Sequence, residues 1–191
     1  MVEEVAMVPV LSLWLPIVLS AVFVFIVSSI IHMVFKYHSN ELRRVPAEDE
    51  VMAALRKFNV PPGEYFLPRA DLKEMKSPAF VEKMKQGPVM LMTVLPNGPQ
   101  PMGKNLACWF VYSLVVSVFA AYIAGRALGP GAEYLAVHRF AGATAFVGYS
   151  LALWQGTIWY KRSVKATLLS NLDGLIYGLV TGGTFGWLWP K

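Results

Sequence analysis

Four long stretches of mainly apolar residues constrain the fold of this chain more than any other feature. They run from Val8 to Val34, from Leu106 to Ala124, from Phe140 to Trp159 and from Asn171 to Trp189. Each has about 20 residues or more, and a helix of that length matches a hydrocarbon core of about 30 Å. The sequence therefore predicts an all-α membrane protein with four transmembrane helices in a compact bundle.

We interpret the first stretch as a retained membrane anchor and not as a cleaved secretory signal. Glu3 and Glu4 precede it, where a signal peptide carries basic residues. Its apolar run is also longer than that of a signal peptide, and no small-x-small cleavage site follows.

Basic residues are distributed unevenly between the two ends of the predicted spans. The segment 36–104 holds 11 of the 17 Lys and Arg residues, and three more lie at 161–165, after the third stretch. The opposite side holds only Arg126, Arg139 and Lys191, a division of 14 to 3. Since cytoplasmic loops carry the excess of Lys and Arg, both termini are predicted to face the periplasm of a bacterial inner membrane.

This orientation divides the chain into three regions. Residues 1–35 form an N-terminal transmembrane helix, residues 36–104 a small cytoplasmic or interfacial insertion, and residues 105–191 a three-helix transmembrane region. Membrane lipids are then obligatory partners. Nucleic acid is not an expected partner, because the segment 36–104 mixes its 11 basic residues with 8 acidic ones.

Three of the predicted spans carry rows of small residues spaced four apart, which lie on one face of a helix. The rows are Gly174, Gly178, Gly182 and Gly186 in the fourth stretch, Ser113, Ser117, Ala121 and Gly125 in the second, and Thr144, Gly148, Ala152 and Gly156 in the third. Such faces let helix backbones approach closely in a bilayer. The rows either pack against each other within one chain or receive another protein or a lipid.

Asp173 is the one acidic residue at or within the last three stretches. An intramembrane carboxylate is a candidate functional group. However, Ser170 and Asp173 give the spacing S-x-x-D directly before an apolar run, which is typical of a helix N-terminus. We therefore predict that Asp173 caps the fourth helix at the cytoplasmic interface.

The three histidines are not expected to bind a metal or a haem. His32 and His138 are predicted at opposite ends of their spans, about 30 Å apart. His32 and His38 are six residues apart and would face different sides of one continuous helix. The sequence contains no recognisable catalytic motif, and its single cysteine, Cys108, has no partner for a disulfide or a thiolate cluster.

The insertion is predicted to contain short helices and extended segments. A helix from Ala47 to Phe58 begins with three acidic residues, which favour a helix N-terminus. A second helix, Pro78 to Gln86, has Ser77 as its cap. The segment PVMLMTVL, before an Asn-Gly turn, is predicted to be a strand or an embedded segment.

Three stretches carry a resemblance to a group of small bacterial inner-membrane proteins with four spans. They are SSIIHMVFKYH, PAFVEKMKQGPV with the following GPQPMGK, and the terminal DGLIYGLVTGGTFGWLWP. The resemblance covers the chain from the first span to the C-terminus. It implies a four-span bacterial membrane protein and carries over no activity, cofactor or catalytic residue.

The abundance of packing surface, together with the shortage of catalytic groups, predicts a non-enzymatic protein. We expect an accessory or scaffolding subunit that binds other integral membrane subunits or a second copy of itself, without a cofactor. The alternative is a carrier or enzyme that handles a lipid or quinone at the cytoplasmic interface. Its polar groups would be Asp173, His32, Arg43 and Arg44.

Overall fold

The computed structural model describes residues 7–191, and 65% of these residues are helical. Its elements in chain order are α1 (Trp14–Met33), α2 (Glu48–Arg56), β1 (Gly63–Leu67), α3 (Pro78–Gln86), β2 (Met90–Val94), α4 (Met102–Ala127), α5 (Tyr134–Phe146), α6 (Leu153–Tyr160) and α7 (Val164–Trp187). The prediction of a mainly helical chain is confirmed. Glu3 and Glu4, which support the anchor interpretation, lie outside the described residues.

The chain divides into two compact units. The helical unit comprises residues up to Leu42 and from Pro101 to the end, and the insertion unit comprises Arg43–Gln100. The insertion is therefore shorter at both ends than the predicted 36–104. Residues 36–42 belong to the helical unit, because they fold back onto its helices.

Among the described residues, two helical segments are long and apolar enough to cross a membrane. They are Val10–Met33, which combines a 3-10 turn with α1, and Met102–Ala127, which is α4. The third predicted span is divided into α5 and α6 by a π-helical turn at Val147–Leu151. The fourth, α7, is 24 residues long but is not one of these two segments, and it contains the polar residues Lys165, Asn171 and Asp173.

The predicted row of small residues in the third span lies off the buried face. The buried residues of α5 are Val137, Ala141, Gly142 and Ala145, whereas Gly148 and Ala152 are exposed and Thr144 and Gly156 are half-buried. Thr144, which precedes the π-helical turn, is already outside the buried face, and that face continues at Tyr149 within the turn. The row 144–156 is therefore one position away from the buried face from its first residue. The turn is contacted by Tyr112 of α4, whose hydroxyl donates to the Gly148 carbonyl at 2.6 Å.

The glycine row of α7 packs against α5 within the chain. Gly174, Gly178 and Gly182 are buried, and Gly186 lies beside the ring of Tyr134. A β carbon at Gly178 would lie 2.9 Å from the carbonyl oxygen of Gly142. The two backbones are therefore in direct contact, with no room for side chains between them.

The second predicted row lies on α4, and all four of its residues are buried. Ser113 and Ser117 are completely buried, and the Ser113 hydroxyl donates to the Trp109 carbonyl at 3.0 Å. At the other end of the helix, the Gly125 carbonyl accepts a hydrogen bond from the Val8 amide at 2.9 Å. This contact attaches the segment before α1 to the end of α4.

The insertion unit contains α2, α3 and a two-stranded antiparallel sheet. In the sheet, Gly63 lies opposite Val94 and Leu67 opposite Met90. Helix α3 begins as predicted, since the Ser77 hydroxyl accepts from the Phe80 amide at 3.2 Å. Within this unit Pro68 is the one buried residue, so the unit has no apolar core of its own.

Candidate functional site at the end of helix α1

The end of α1 brings two histidines together. Helix α1 ends at Met33, and the chain reverses direction through a 3-10 turn at Lys36–His38. The rings of His32 and His38 are stacked, with centroids 4.8 Å apart and planes within 3° of parallel. The expectation that these histidines face different sides of one helix is therefore wrong, because the helix does not continue to residue 38.

Asp173 of α7 lies beside these histidines and is only 4% exposed. Its Oδ2 accepts a hydrogen bond from His38 Nε2 at 2.8 Å, and its Oδ1 accepts one from the Tyr37 hydroxyl. Both oxygens of the carboxylate are thus held by residues of the turn after α1.

The prediction that Asp173 caps the last helix is wrong. Helix α7 begins at Val164, where the Ser163 hydroxyl accepts from the Ala166 amide at 3.5 Å. Asp173 therefore lies well inside the helix, between its second and third turns. Its carboxylate is satisfied by side chains from another element and not by the amides of a first turn.

His38 carries a positive charge in this cluster. Its Nδ1 contacts the Glu41 carboxylate and its Nε2 contacts Asp173, so both ring nitrogens donate. Burial of the ring opposes protonation, but the hydrogen bond to Glu41 and the charge of Asp173 outweigh it and raise the pKa of His38. Burial, reinforced by the Asp173 carboxylate, raises the pKa of Tyr37, which stays neutral.

His32 is exposed and differs from His38 in its hydrogen bonding. Its Nδ1 lies 2.9 Å from the backbone carbonyl oxygen of Ser28, one turn earlier in α1. Because a carbonyl only accepts, Nδ1 is the donor of this hydrogen bond, and Nε2 takes no part in it.

A cluster of three aromatic side chains, from α4, the π-helical turn and α7, lies near Ser28 of α1. The Trp109 indole donates to the Ser28 hydroxyl at 2.9 Å, and its ring centroid is 5.9 Å from those of Tyr149 and Tyr177. Tyr177 follows Asp173 by one turn of α7. The buried hydroxyls of Tyr149 and Tyr177 have no hydrogen-bond partner among residues 7–191.

The other two predicted polar residues do not belong to the helical unit, which contains His32, His38 and Asp173. Arg43 and Arg44 belong to the insertion unit, where the Arg44 Nε contacts the Glu48 carboxylate at 3.1 Å. Tyr37 and Glu41 are not among the residues predicted from the sequence. The one available signal was the polar run KYHSNE directly after an apolar helix.

The arrangement offers a buried carboxylate and two imidazoles whose polar atoms lie within 4.8 Å of one another. Such a group can hold a cation or exchange protons with a bound molecule. No protein-family model, curated protein or solved structure matches the chain.

We expect the chelator-treated protein to lose thermal stability as the pH rises above the ordinary histidine pKa of 6.5. The raised pKa of folded His38 means that its stabilisation is complete below 6.5 and is lost as the pH rises through the folded value. Unfolding midpoints in detergent between about pH 5.5 and about pH 8.5 test this. His38→Gln should flatten the profile, and His138→Gln, at the other end of the helical unit, should not.

Proposed function

We propose that the chain is a non-enzymatic, four-span protein of a bacterial inner membrane and an accessory subunit of a larger membrane complex. Its insertion unit binds another protein subunit of that complex. The helical unit anchors this binding surface at the membrane. The observation that carries the proposal is that the insertion unit has no apolar core of its own.

The surface of the helical unit supports four spans. Large apolar side chains point outward from every long helix, and α7 has a stripe of them opposite its glycines: Leu168, Leu172, Leu175 and Leu179. The interior instead contains completely buried hydroxyl groups, such as those of Ser20, Ser117 and Thr181. Buried polar residues and a broad apolar exterior are the reverse of a soluble protein, and they suit a lipid environment.

The orientation follows from the distribution of charge. With 14 of the 17 Lys and Arg residues in the segments 36–104 and 161–165, these segments face the cytoplasm and both termini face the periplasm. The cluster of His32, His38 and Asp173 then lies at the cytoplasmic interface. The resemblance to small four-span bacterial membrane proteins agrees with this arrangement.

The insertion unit exposes apolar side chains that a stable domain would bury. Phe58 is 73% exposed, Leu72 88% and Leu95 58%. Without a core, a segment of this size cannot offset its loss of conformational entropy, so it requires a further surface to pack against. Its nine basic and seven acidic residues are nearly balanced. A binder of anionic lipid would carry a clear basic excess, so we assign the surface to a protein partner.

The small-residue rows of α7 and α4 do not serve this partner. The glycines of α7 face α5, and the row on α4 is buried within the same helical unit. Partner binding is therefore assigned to the insertion unit and not to the glycine faces.

The second candidate function is lipid or quinone handling at the cytoplasmic interface. The observation that favours it is the convergence of His32 and Asp173 in one polar cluster. Lipid or quinone that copurifies with the wild type and is lost in Asp173→Asn would support this function over the accessory role.

We expect the protein, extracted gently from its native membrane, to migrate in a complex with a different protein. Native mass spectrometry should show a mass that is not a multiple of the 21.2 kDa chain. The double substitution Phe58→Ser and Leu72→Ser should reduce recovery of that complex by about tenfold or more, since exposed apolar anchors dominate binding energy.

The matched control replaces the neighbouring exposed lysines, Lys57→Ser and Lys73→Ser, and should leave recovery unchanged. Both variants should keep the unfolding midpoint of the helical unit. A monomer from native membranes would contradict the proposal, as would equal loss in the two double variants. A mass that is an integral multiple of the chain would assign the surface to a second copy instead.

A further inference from the structure

We propose that His32, His38 and Asp173 form a binding site for a first-row divalent transition metal ion, with Zn²⁺ as the ion to test. This site belongs to the helical unit alone and is independent of the accessory role. Three parts of the chain contribute to it: the last turn of α1, the turn after it, and the middle of α7.

The geometry of the three residues suits such an ion. One nitrogen of each imidazole and one oxygen of the carboxylate lie within 4.8 Å of one another. Two imidazoles and a carboxylate are a ligand set that Zn²⁺ and other first-row divalent ions accept, whereas Mg²⁺ and Ca²⁺ prefer oxygen ligands. Because the two rings are stacked nearly parallel, with centroids 4.8 Å apart, Zn²⁺ bonds of about 2.0–2.2 Å require the exposed His32 ring to turn out of the stack, so that its Nε2 lone pair points at the ion.

Each of the three ligands is held by a partner on its other polar atom. His32 Nδ1 donates to the Ser28 carbonyl at 2.9 Å, and His38 Nδ1 donates to the Glu41 carboxylate. The Oδ1 of Asp173 accepts from the Tyr37 hydroxyl. Metal-binding histidines and carboxylates in proteins are oriented by second partners of these kinds. Since all three ligands have one, these contacts point to an ion site and not to a simple surface ion pair.

The charges of the cluster favour a divalent cation. His38 Nε2 and Asp173 Oδ2 are 2.8 Å apart and share one proton. A metal ion bound between them takes the place of that proton, which leaves to solvent. Asp173 and Glu41 place two carboxyl groups beside His38, which suits a divalent cation.

The ion would have protein ligands on one side and solvent on the other. Asp173 is buried at the inner side of the site, whereas His32 is exposed. Three protein ligands leave at least one coordination position for water or another molecule. Catalytic zinc sites have such an open position, whereas structural zinc sites do not.

The full chain, carrying an affinity tag without histidine and stripped with a chelator, provides the test. Titration with Zn²⁺ in detergent micelles should show one strong site per chain, and Co²⁺ should give visible absorption bands typical of a site with nitrogen ligands. His32→Gln should weaken Zn²⁺ binding by at least about 100-fold. This variant is decisive because His32 is exposed and its single hydrogen bond is to its own helix.

Two further variants complete the test. Glu41→Gln should weaken binding about 10- to 100-fold through the orientation of His38. His138→Gln removes a histidine at the other end of the helical unit and should leave binding unchanged. The proposal is overturned if the wild type binds no Zn²⁺ strongly, or if His32→Gln, with an unchanged unfolding midpoint, binds Zn²⁺ as the wild type does.

Discussion

Replacing Gly182 with alanine is expected to destabilise the helical unit by about 2–3 kcal/mol, near the upper end for overpacking a close contact. The added β carbon would lie 2.7 Å from the His138 carbonyl oxygen and 3.1 Å from the Gly142 α carbon. Both are backbone atoms of α5, so neither can move aside by a change of rotamer. The helices must separate, and every contact along the glycine row is weakened.

The neighbouring glycine provides a matched control. A β carbon at Gly183 would meet only the Tyr134 hydroxyl, at 3.5 Å, which is an ordinary contact. Gly183→Ala should therefore be neutral or stabilise α7 by up to about 1 kcal/mol through helix propensity. Thermal unfolding of both variants in one detergent, followed by circular dichroism, measures the difference. Equal midpoints would mean that α5 and α7 do not approach as closely as described.

The spacing of small residues predicts which face of α7 packs, but it cannot identify what covers that face. Four-residue spacing determines a common face wherever the helix is regular, as it is for Gly174 to Gly182. The same rule fails in the third span, where the row that starts at Thr144 lies one position away from the buried residues Ala145 and Tyr149. The coverage of a face depends on the turns between helices, which a residue period does not describe.

A similar limit applies to the candidate site. The prediction that His32 and His38 face different sides requires α1 to continue through residue 38, whereas a reversal after Met33 stacks their rings. For Asp173, the spacing from Ser170 predicts a helix start at Ser170. Helix α7 instead begins at Val164, with Ser163 as its cap, after α6 ends at Tyr160 and Lys161 takes a left-handed conformation. Seven additional helical residues place Asp173 against the turn after α1.

Replacing Asp173 with alanine is expected to cost about 3 kcal/mol of stability below pH 6.5, with a chelator present. The substitution leaves the His38 imidazolium with Glu41 alone and the Tyr37 hydroxyl without an acceptor. The Asp173 and His38 side chains are 6% and 13% exposed, so water replaces the lost contacts poorly. Asp173→Asn should cost less, since its amide oxygen still accepts from Tyr37.

The interaction between Asp173 and His38 can be distinguished from a general effect of truncating a buried side chain by the coupling of their unfolding free energies. In a His38→Gln background, the cost of Asp173→Ala should fall by about half, because no buried charge is left without its partner. A helix cap would instead cost about 1 kcal/mol and would be independent of residue 38. Unfolding midpoints of the two single variants and the double variant decide between these cases. If the costs simply add, Asp173 stabilises α7 on its own, and the turn after α1 has no part in holding the carboxylate.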